Sequence, residues 1–100
     1  MKIFISGPIT NDANYKSHFN SVAEAIKAKG HIPLNPAVYP KGLTINEYMS
    51  LGFGMIDIAD AVCMLEGWES SGGANVEYEY ASYCDKLIIY EKDILDADRI

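Results

Sequence analysis

Positive charge is scarce in this sequence. Its 100 residues include 8 lysines and arginines against 14 aspartates and glutamates, which gives a net charge of −6. Proteins that bind nucleic-acid polymers neutralise phosphates with clustered basic side chains. We therefore expect no nucleic-acid polymer as a partner, although backbone amides can still bind the phosphate of one small nucleotide.

Membrane, metal and cofactor signals are also lacking. No apolar run reaches the roughly 18 residues of a membrane span, and no signal peptide precedes the first strand. We therefore expect a cytoplasmic protein without a membrane partner. Cys63 and Cys84 lack the spacing of a metal site or a CxxC motif, so we expect reduced, buried thiols and no metal. Without GxGxxG or a Walker A lysine, we predict no cofactor.

The length of the chain favours one domain over residues 1–100. A domain of this size buries only about 60–65% of its unfolded surface, so its core is thin. Association would compensate for that thin core, and we expect a homo-oligomer.

Apolar patterning predicts strands and helices in alternation. Strands are expected at residues 2–6, 31–34, 60–65 and 86–90, and helices from Tyr15 to a left-handed Gly30, after Thr44, over 74–83 and, as a short turn, within 91–100. This order predicts an α/β fold, a small Rossmann- or flavodoxin-like three-layer sandwich. Its parallel sheet of four or five strands should have the order 2-1-3-4.

The second helix combines a start signal with two weak points. Thr44 and Glu47 have the spacing of a capping box. Gly52 and Gly54 reduce helix propensity, so we expect close packing or a bend there. The predicted apolar side consists of Tyr48, Leu51, Met55, Ile56 and Ile58.

Ligands of such sheets bind beyond the carboxyl ends of the strands, where the strand order reverses. The loops at that point are residues 7–14 and 67–73. In the first loop, Gly7 allows close backbone approach, although an ordinary turn is an equal explanation. The candidate contacts from this segment are Ser6, Gly7, Pro8, Ile9 and Thr10.

The second loop is rich in glycine and serine. Gly72 and Gly73 open a helix behind Ser70 and Ser71, which suits a phosphate. Plain helix capping by serine explains the same pattern. Trp68 can stack on a base or cover the edge of the core.

Glu77 falls in about the first turn of that helix, where the helix dipole should keep its carboxylate ionised. An ionised carboxylate can attack an anomeric carbon, but it can also merely complement the dipole. Asp57 is left without a role. Asp60 and the two histidines, His18 and His31, are interpreted as structural or surface residues.

Two segments together are more specific than either alone. Residues 3–10 (IFISGPIT) and residues 67–77 (GWESSGGANVE), with Asp60 before the third strand, resemble the nucleoside 2-deoxyribosyltransferase-like superfamily. More narrowly, they resemble the domain-of-unknown-function 4406 family, whose members are short and common in phages and bacteria. The resemblance covers residues 1–90.

The resemblance implies a mechanism and its residues. In that superfamily a helix glutamate attacks the C1′ carbon of a deoxyribosyl group, and this role carries over to Glu77, with Gly73 and Ala81 at the matching spacing. The first strand and its loop meet the sugar and base, which brings in Phe4. Ser71 stands where the nucleotide hydrolases carry a serine for a 5′-phosphate, which favours a (deoxy)nucleoside 5′-monophosphate over a free nucleoside.

Two positions depart from the pattern of active members. Gly52 stands in place of an aspartate that helps protonate the leaving base, and Phe4 replaces a tyrosine. The general acid is therefore unassigned. Two functions stay open: cleavage or transfer at an N-glycosidic bond through Glu77, and a non-catalytic nucleotide-binding module that has lost the acid.

Overall fold

A four-stranded parallel sheet organises the chain. The computed structural model describes residues 1–10 and 12–96. The strands are β1 (Lys2–Ser6), β2 (Ile32–Leu34), β3 (Ala61–Met64) and β4 (Leu87–Tyr90), and the helices are α1 (Tyr15–Ala28), α2 (Ile45–Ile58), α3 (Gly72–Tyr83) and α4 (Glu91–Leu95). The strand order is β2-β1-β3-β4 with every pair parallel, which confirms the predicted α/β sandwich.

Each face of the sheet has its own apolar core. Successive strand side chains point to opposite faces, so Ile3 and Ile5 of β1 pack with α1 and α4, whereas Phe4 packs with α2 and α3. Ser6 follows the same alternation and lies on the face of Phe4. This alternation aims the last side chain of β1 at α3.

Helix α1 is the element for which apolar spacing was most informative. Its buried residues are the four predicted ones, Phe19, Val22, Ala23 and Ile26. Gly30 follows the helix at φ +85°, the left-handed conformation expected of it.

Helix α2 confirms the capping box but corrects its predicted apolar side. Thr44 N–H donates to Glu47 Oε1 at 2.8 Å, and Glu47 N–H donates to Thr44 Oγ1 at 3.1 Å. Leu51 and Ile58 are exposed, whereas Gly52 and Ile56 are buried. The prediction was right for Ile56 and wrong for Leu51 and Ile58, because a count of apolar side chains gives no weight to Gly52, which is buried against Glu77.

Helix α3 begins two residues earlier than predicted. Ser71 caps it, since Ala74 N–H donates to Ser71 Oγ at 3.3 Å, and Gly72 is the first helical residue. The preceding loop contains a 3-10 helix, Trp68–Ser70. Trp68 stacks on Tyr78 with ring centroids 4.9 Å apart and packs against the core of that face.

Polar contacts tie the helices together at positions that had no assigned role. Tyr80 Oη donates to Asp57 Oδ1 at 2.6 Å, which joins α3 to α2. His18 Nε2 lies 2.9 Å from Glu91 Oε1, which joins α1 to α4. Asp57 and His18 therefore both have structural roles, as predicted for His18.

The remaining predictions concern the two cysteines and the residues for which no structure is described. Cys63 is buried, Cys84 is half-buried, and both are free thiols. Asn11, in the predicted loop, and residues 97–100, in the predicted C-terminal turn, lie outside the described residues.

Candidate active site

The Glu77 carboxylate lies directly beyond the end of β1. Ser6 Oγ donates a hydrogen bond to Glu77 Oε1 at 2.7 Å. Ser6 is 1% exposed, so this contact is fixed by the strand itself. The bond joins two residues 71 positions apart in the chain, one from each of the two segments singled out from the sequence.

Two expectations about Glu77 are corrected. It lies in the second turn of α3 because the helix begins at Gly72, and the dipole effect is confined to the first turn. Loss of hydration raises the pKa of Glu77 from 4.5 to about 7, while the Ser6 hydrogen bond opposes that rise. The carboxyl group is therefore poised between its two protonation states at neutral pH, instead of being held fully ionised.

Helix α2 approaches Glu77 through Gly52. A Cβ atom built on Gly52 would lie 2.5 Å from Glu77 Oε2 and 3.8 Å from the ring of Phe4. Non-bonded atoms of this kind do not approach so closely, so any side chain at position 52 would displace the Glu77 carboxylate. Glycine at position 52, in place of the aspartate that the resemblance leads one to expect, therefore leaves the space that the Glu77 carboxylate occupies.

Glu77 lines a cavity of about 550 Å³, which we call the Glu77 cavity. Its walls come from the loop after β1, the loop after β2, helix α1 and the start of α2 and α3. The volume is in the range of small-molecule sites. The lining residues are Ile5, Gly7, Ile9, Thr10, Tyr15, Phe19, Pro36, Tyr39, Pro40, Lys41, Ile45, Tyr48, Met49, Ser71, Gly72, Gly73, Ala74, Val76 and Glu77.

A second cavity of about 630 Å³ lies at the amino end of α3, and we call it the helix-end cavity. Its lining residues are Pro8, Thr10, Asp12, Ala13, Ser70, Ser71, Gly72 and Gly73. Four of them, Thr10, Ser71, Gly72 and Gly73, also line the Glu77 cavity. The two cavities therefore share part of their wall.

The serines of this wall differ in what they can still bind. Ser70 Oγ donates to the Gly67 carbonyl at 2.9 Å, so its proton is already committed. Ser71 Oγ accepts from Ala74 N–H, a bond that uses a lone pair and leaves the hydroxyl proton available. Capping and anion binding are therefore compatible at Ser71, and Ser71 is the better of the two anion ligands.

Most of the predicted contact residues line the two cavities, but three do not. Of the predicted set, the two cavities are lined by Gly7, Pro8, Ile9, Thr10, Ser70, Ser71, Gly72, Gly73 and Glu77. Phe4 and Ser6 are buried, and Trp68 stacks on Tyr78. None of the three is among the described residues that line the cavities; Ser6 instead donates to Glu77, and Trp68 packs against the core of its face.

Gly7 has a packing reason that the sequence did not reveal. A Cβ atom at Gly7 would lie 2.8 Å from Leu65 Cβ. The chain can therefore turn after β1 only with glycine at this position, whatever the ligand. Gly7 also lines the Glu77 cavity, so the same residue allows the turn after β1 and forms part of the cavity wall.

Sequence reasoning missed the wall contributed by the loop after β2. A 3-10 helix, Pro36–Val38, is capped by Asn35 Oδ1, which accepts from Ala37 N–H at 3.0 Å. It brings Tyr39 and Lys41 to the Glu77 cavity. The available signal was the position of this loop at a strand's carboxyl end, where ligands bind in parallel sheets.

Neither a metal site nor a membrane-spanning helix is found in the part of the chain that the structure describes. Across residues 1–10 and 12–96, no group of three or more histidine, cysteine or acidic side chains is placed to hold a metal ion. Among the same residues, no helix has both the length and the apolar character needed to cross a bilayer.

Two solved structures share this fold. A 2-desoxiribosyltransferase from Leishmania mexicana superposes with a TM-score of 0.71 at 23% identity, covering 89% of this chain and 62% of its own. The CMP N-glycosidase BcmB from Clostridium botulinum superposes with a TM-score of 0.68 at 19% identity, covering 90% of this chain and 70% of its own. This chain thus spans less than two thirds of the transferase's length. The fold is the one predicted from the superfamily resemblance.

The sequence itself places the chain in a family. Residues 1–90 match the family described as Domain of unknown function (DUF4406), and the chain belongs to it. This confirms the narrower of the two resemblances. A comparison with curated proteins gives no significant match.

Proposed function

We propose that this protein cleaves the N-glycosidic bond of a nucleoside or a (deoxy)nucleoside 5′-monophosphate, with Glu77 as the nucleophile. The observation that carries the proposal is the position of Glu77: a partly buried carboxylate, held by Ser6 at 2.7 Å, in the wall of a cavity of about 550 Å³. A carboxylate so placed can attack an anomeric carbon.

The reaction proceeds as a displacement at C1′. A Glu77 oxygen forms a bond to C1′ while the bond from C1′ to the base nitrogen breaks, through an oxocarbenium-like transition state. The electron pair of the broken bond leaves with the base. Water or a second base then attacks C1′ of the resulting sugar ester and restores the carboxylate, which makes the activity a hydrolysis or a deoxyribosyl transfer.

The shared wall of the two cavities supports a 5′-monophosphate as the ligand. The Ser71 hydroxyl proton and the backbone amides at the start of α3 can bind phosphate oxygens while the sugar lies beside Glu77. Asp12 lines the helix-end cavity but accepts from Asn14 N–H at 2.9 Å, which holds one of its carboxylate oxygens away from the ligand.

Similarity to known enzymes supports the same class of reaction. Two of the solved structures that share the fold are named as a 2-desoxiribosyltransferase and a CMP N-glycosidase. Both names describe chemistry at the bond between a sugar and a base. We therefore place this chain in the same class, with a small nucleoside or nucleotide as its partner.

A binding module without catalysis is the second candidate. Gly52 and Phe4 provide no acid to protonate the leaving base, and Phe4 is buried away from the cavity. In this alternative the pocket binds a nucleotide, and Glu77 contacts the sugar without attacking it.

Base release separates the two candidates. The protein is incubated with deoxynucleosides and deoxynucleoside monophosphates, and free base is measured by chromatography. We expect Glu77→Ala to abolish release and Glu79→Ala, an exposed carboxylate of the same helix, to leave it unchanged. Release that persists in Glu77→Ala would exclude the nucleophile role, whereas saturable binding in calorimetry without any release would favour the module.

The proposed contact between Ser71 and a phosphate is tested with a substitution that keeps the helix cap. Ser71→Asp keeps a good capping residue but places a negative charge against a phosphate. We expect weaker binding of monophosphates and unchanged binding of free nucleosides. Equal affinity for monophosphates before and after the change would remove the case for a phosphate.

We also propose a cytoplasmic homo-oligomer, as expected for a thin core. Tyr83 is 88% exposed on α3, which makes this helix a candidate contact. Light scattering of the purified protein tests the assembly, and a monomer at micromolar concentration would contradict it.

A further inference from the structure

Two stacked tyrosines line the Glu77 cavity. Tyr39 and Tyr48 lie with ring centroids 6.4 Å apart and planes inclined by 21°. Their hydroxyl groups are in different situations. Tyr48 Oη donates to the Pro40 carbonyl at 2.7 Å and accepts from Leu43 N–H at 3.3 Å, so it is fully used in holding the loop.

The Tyr39 hydroxyl is unused. Its oxygen is buried, and within residues 1–10 and 12–96 it has no hydrogen-bond partner. Buried polar groups are nearly always paired, and each exception requires an explanation. His31 Nε2 is the other unpaired buried side-chain atom in these residues, but His31 lines neither cavity. Tyr39 alone combines an unpaired group with the wall of the Glu77 cavity.

The loop fixes Tyr39 in this position. Tyr39 N–H donates to the Pro36 carbonyl at 3.1 Å, and Asn35 Nδ2 donates to Asn20 Oδ1 of α1 at 2.9 Å. The ring is also held by its stack on Tyr48. A donor positioned in advance costs little reorganisation when a ligand binds.

We infer that the Tyr39 hydroxyl donates a hydrogen bond to an acceptor atom of the nucleobase in the Glu77 cavity, and that it stabilises the base as it departs. The inference rests on the proposed function. It assigns a hydrogen-bond donor to the leaving base, for which Gly52 and Phe4 provide none. Because Tyr39 and Glu77 come from different elements of one cavity, the sugar and its base can lie between them.

The protonation state of Tyr39 agrees with a donor. Burial, and then the negative charge of Glu77, raise the pKa of Tyr39 to about 12. The group therefore keeps its proton at neutral pH and stabilises the electron pair received by the base without transferring the proton. The base takes its proton from water after the bond to C1′ has broken.

A binding comparison tests the contact independently of catalysis. Affinities for the four deoxynucleoside 5′-monophosphates and for 2-deoxyribose 5-phosphate are measured by calorimetry with wild-type protein and Tyr39→Phe. We expect Tyr39→Phe to weaken monophosphate binding about 3- to 10-fold for the bases with a reachable acceptor and to leave the sugar phosphate unchanged. Equal losses for both ligand types, or no loss, would overturn the inference.

A leaving-group comparison tests the catalytic part. A 4-nitrophenyl 2-deoxyriboside has a leaving group that needs no assistance. We expect Tyr39→Phe to lower kcat/KM for nucleotides by roughly 100-fold with a small effect on the nitrophenyl substrate, whereas Glu77→Ala stops both. Similar losses on both substrates would mean that Tyr39 only supports the fold, and they would overturn the catalytic role.

Matched tyrosines serve as controls. Tyr90→Phe makes the same chemical change at an exposed residue that lines neither cavity and should alter neither binding nor turnover. Tyr48→Phe removes the loop contacts and should lower thermal stability. If wild-type protein releases no base, the proposed function fails, and the calorimetric comparison still decides whether Tyr39 contacts the base.

Discussion

Two carboxylates at opposite ends of the sheet have opposite surroundings. Asp60 precedes β3 and is exposed; its Oδ2 accepts from Lys2 N–H at 2.8 Å and lies 3.4 Å from Lys2 Nζ. Those contacts, the backbone bond first, lower the pKa of Asp60. Glu77, beyond β1, is partly buried and has one hydrogen bond, from Ser6, and its pKa is raised to about 7.

The difference separates a structural acid from the acid to which the proposed function assigns the reaction. The Asp60 carboxylate is exposed and paired with Lys2, so its charge stabilises the fold and requires no functional explanation. Glu77 is kept from water and lies beside a cavity, so its charge is costly in the folded state. Unsatisfied or perturbed groups that converge on a pocket indicate function, and Tyr39 and Glu77 both belong to the carboxyl end of the sheet.

The largest expected effect comes from filling the space at Gly52. Gly52→Ala places a Cβ atom 2.5 Å from Glu77 Oε2, which must displace the carboxylate. We expect a loss of roughly 100-fold in base release with little change in the free energy of unfolding, because the clashing atom is the end of a flexible side chain and alanine has the higher helix propensity. Gly54→Ala is the matched control, because no atom lies within 4 Å of its Cβ position.

Gly54→Ala should increase stability by about 0.5–1 kcal/mol, since alanine has the higher helix propensity. Denaturant unfolding and the base-release assay measure both variants. If the two variants behave alike in both assays, the close approach of α2 to Glu77 is incorrect.

The next effect concerns the charge of Glu77. Its pKa is higher in the folded protein, at about 7, than the ordinary 4.5. The folded state therefore binds more protons than the unfolded state between these values, and stability falls as pH rises through this window. Glu77→Gln removes the penalty and keeps an acceptor for Ser6, so above pH 7 it should be more stable than wild type by about 2–3 kcal/mol.

Unfolding curves between pH 4 and pH 8 test this statement. The advantage of Glu77→Gln should disappear toward pH 4. An advantage that is independent of pH would point to packing rather than charge. Base release by the wild-type protein should rise with pH around 7, because only the carboxylate attacks.

The smallest effect is expected at Asp60. Its pKa is lowered in the folded protein, so its contribution to stability is present above its ordinary pKa of 3.8 and is lost as pH falls below that value. Asp60→Asn should therefore cause a small loss of stability at neutral pH, since solvent screens an exposed contact. Base release should stay unchanged; a large loss would contradict the structural role of Asp60.

Much of the fold was predictable because apolar spacing reports burial locally. The strand segments, helix α1 and the capping box at Thr44 follow from patterns within short windows, and the sheet order follows from the rules for crossovers in parallel sheets. The two functional segments were also visible, through their glycines and serines. Their meeting, in the Ser6 hydrogen bond to Glu77, follows from the parallel order of β1 and β3.

Other features depend on contacts between distant segments. The apolar side of α2 was mispredicted at Leu51 and Ile58, because the buried Gly52 has no weight in a count of apolar residues. The stack of Trp68 on Tyr78 joins two residues whose contact no local pattern indicates. Tyr39 had no local signal beyond its place after a strand.

The sequence by itself determined the elements, their order and the identity of Glu77 as the central acid, since these depend on residue type and spacing. Only the tertiary structure decided the state of that acid. The pKa of Glu77 is raised because neighbours from β1, α2 and α3 exclude water from it, and hydration is a property of the assembled site. For the same reason, only the folded chain shows that Tyr39 has a proton to donate and, among the described residues, no partner to receive it.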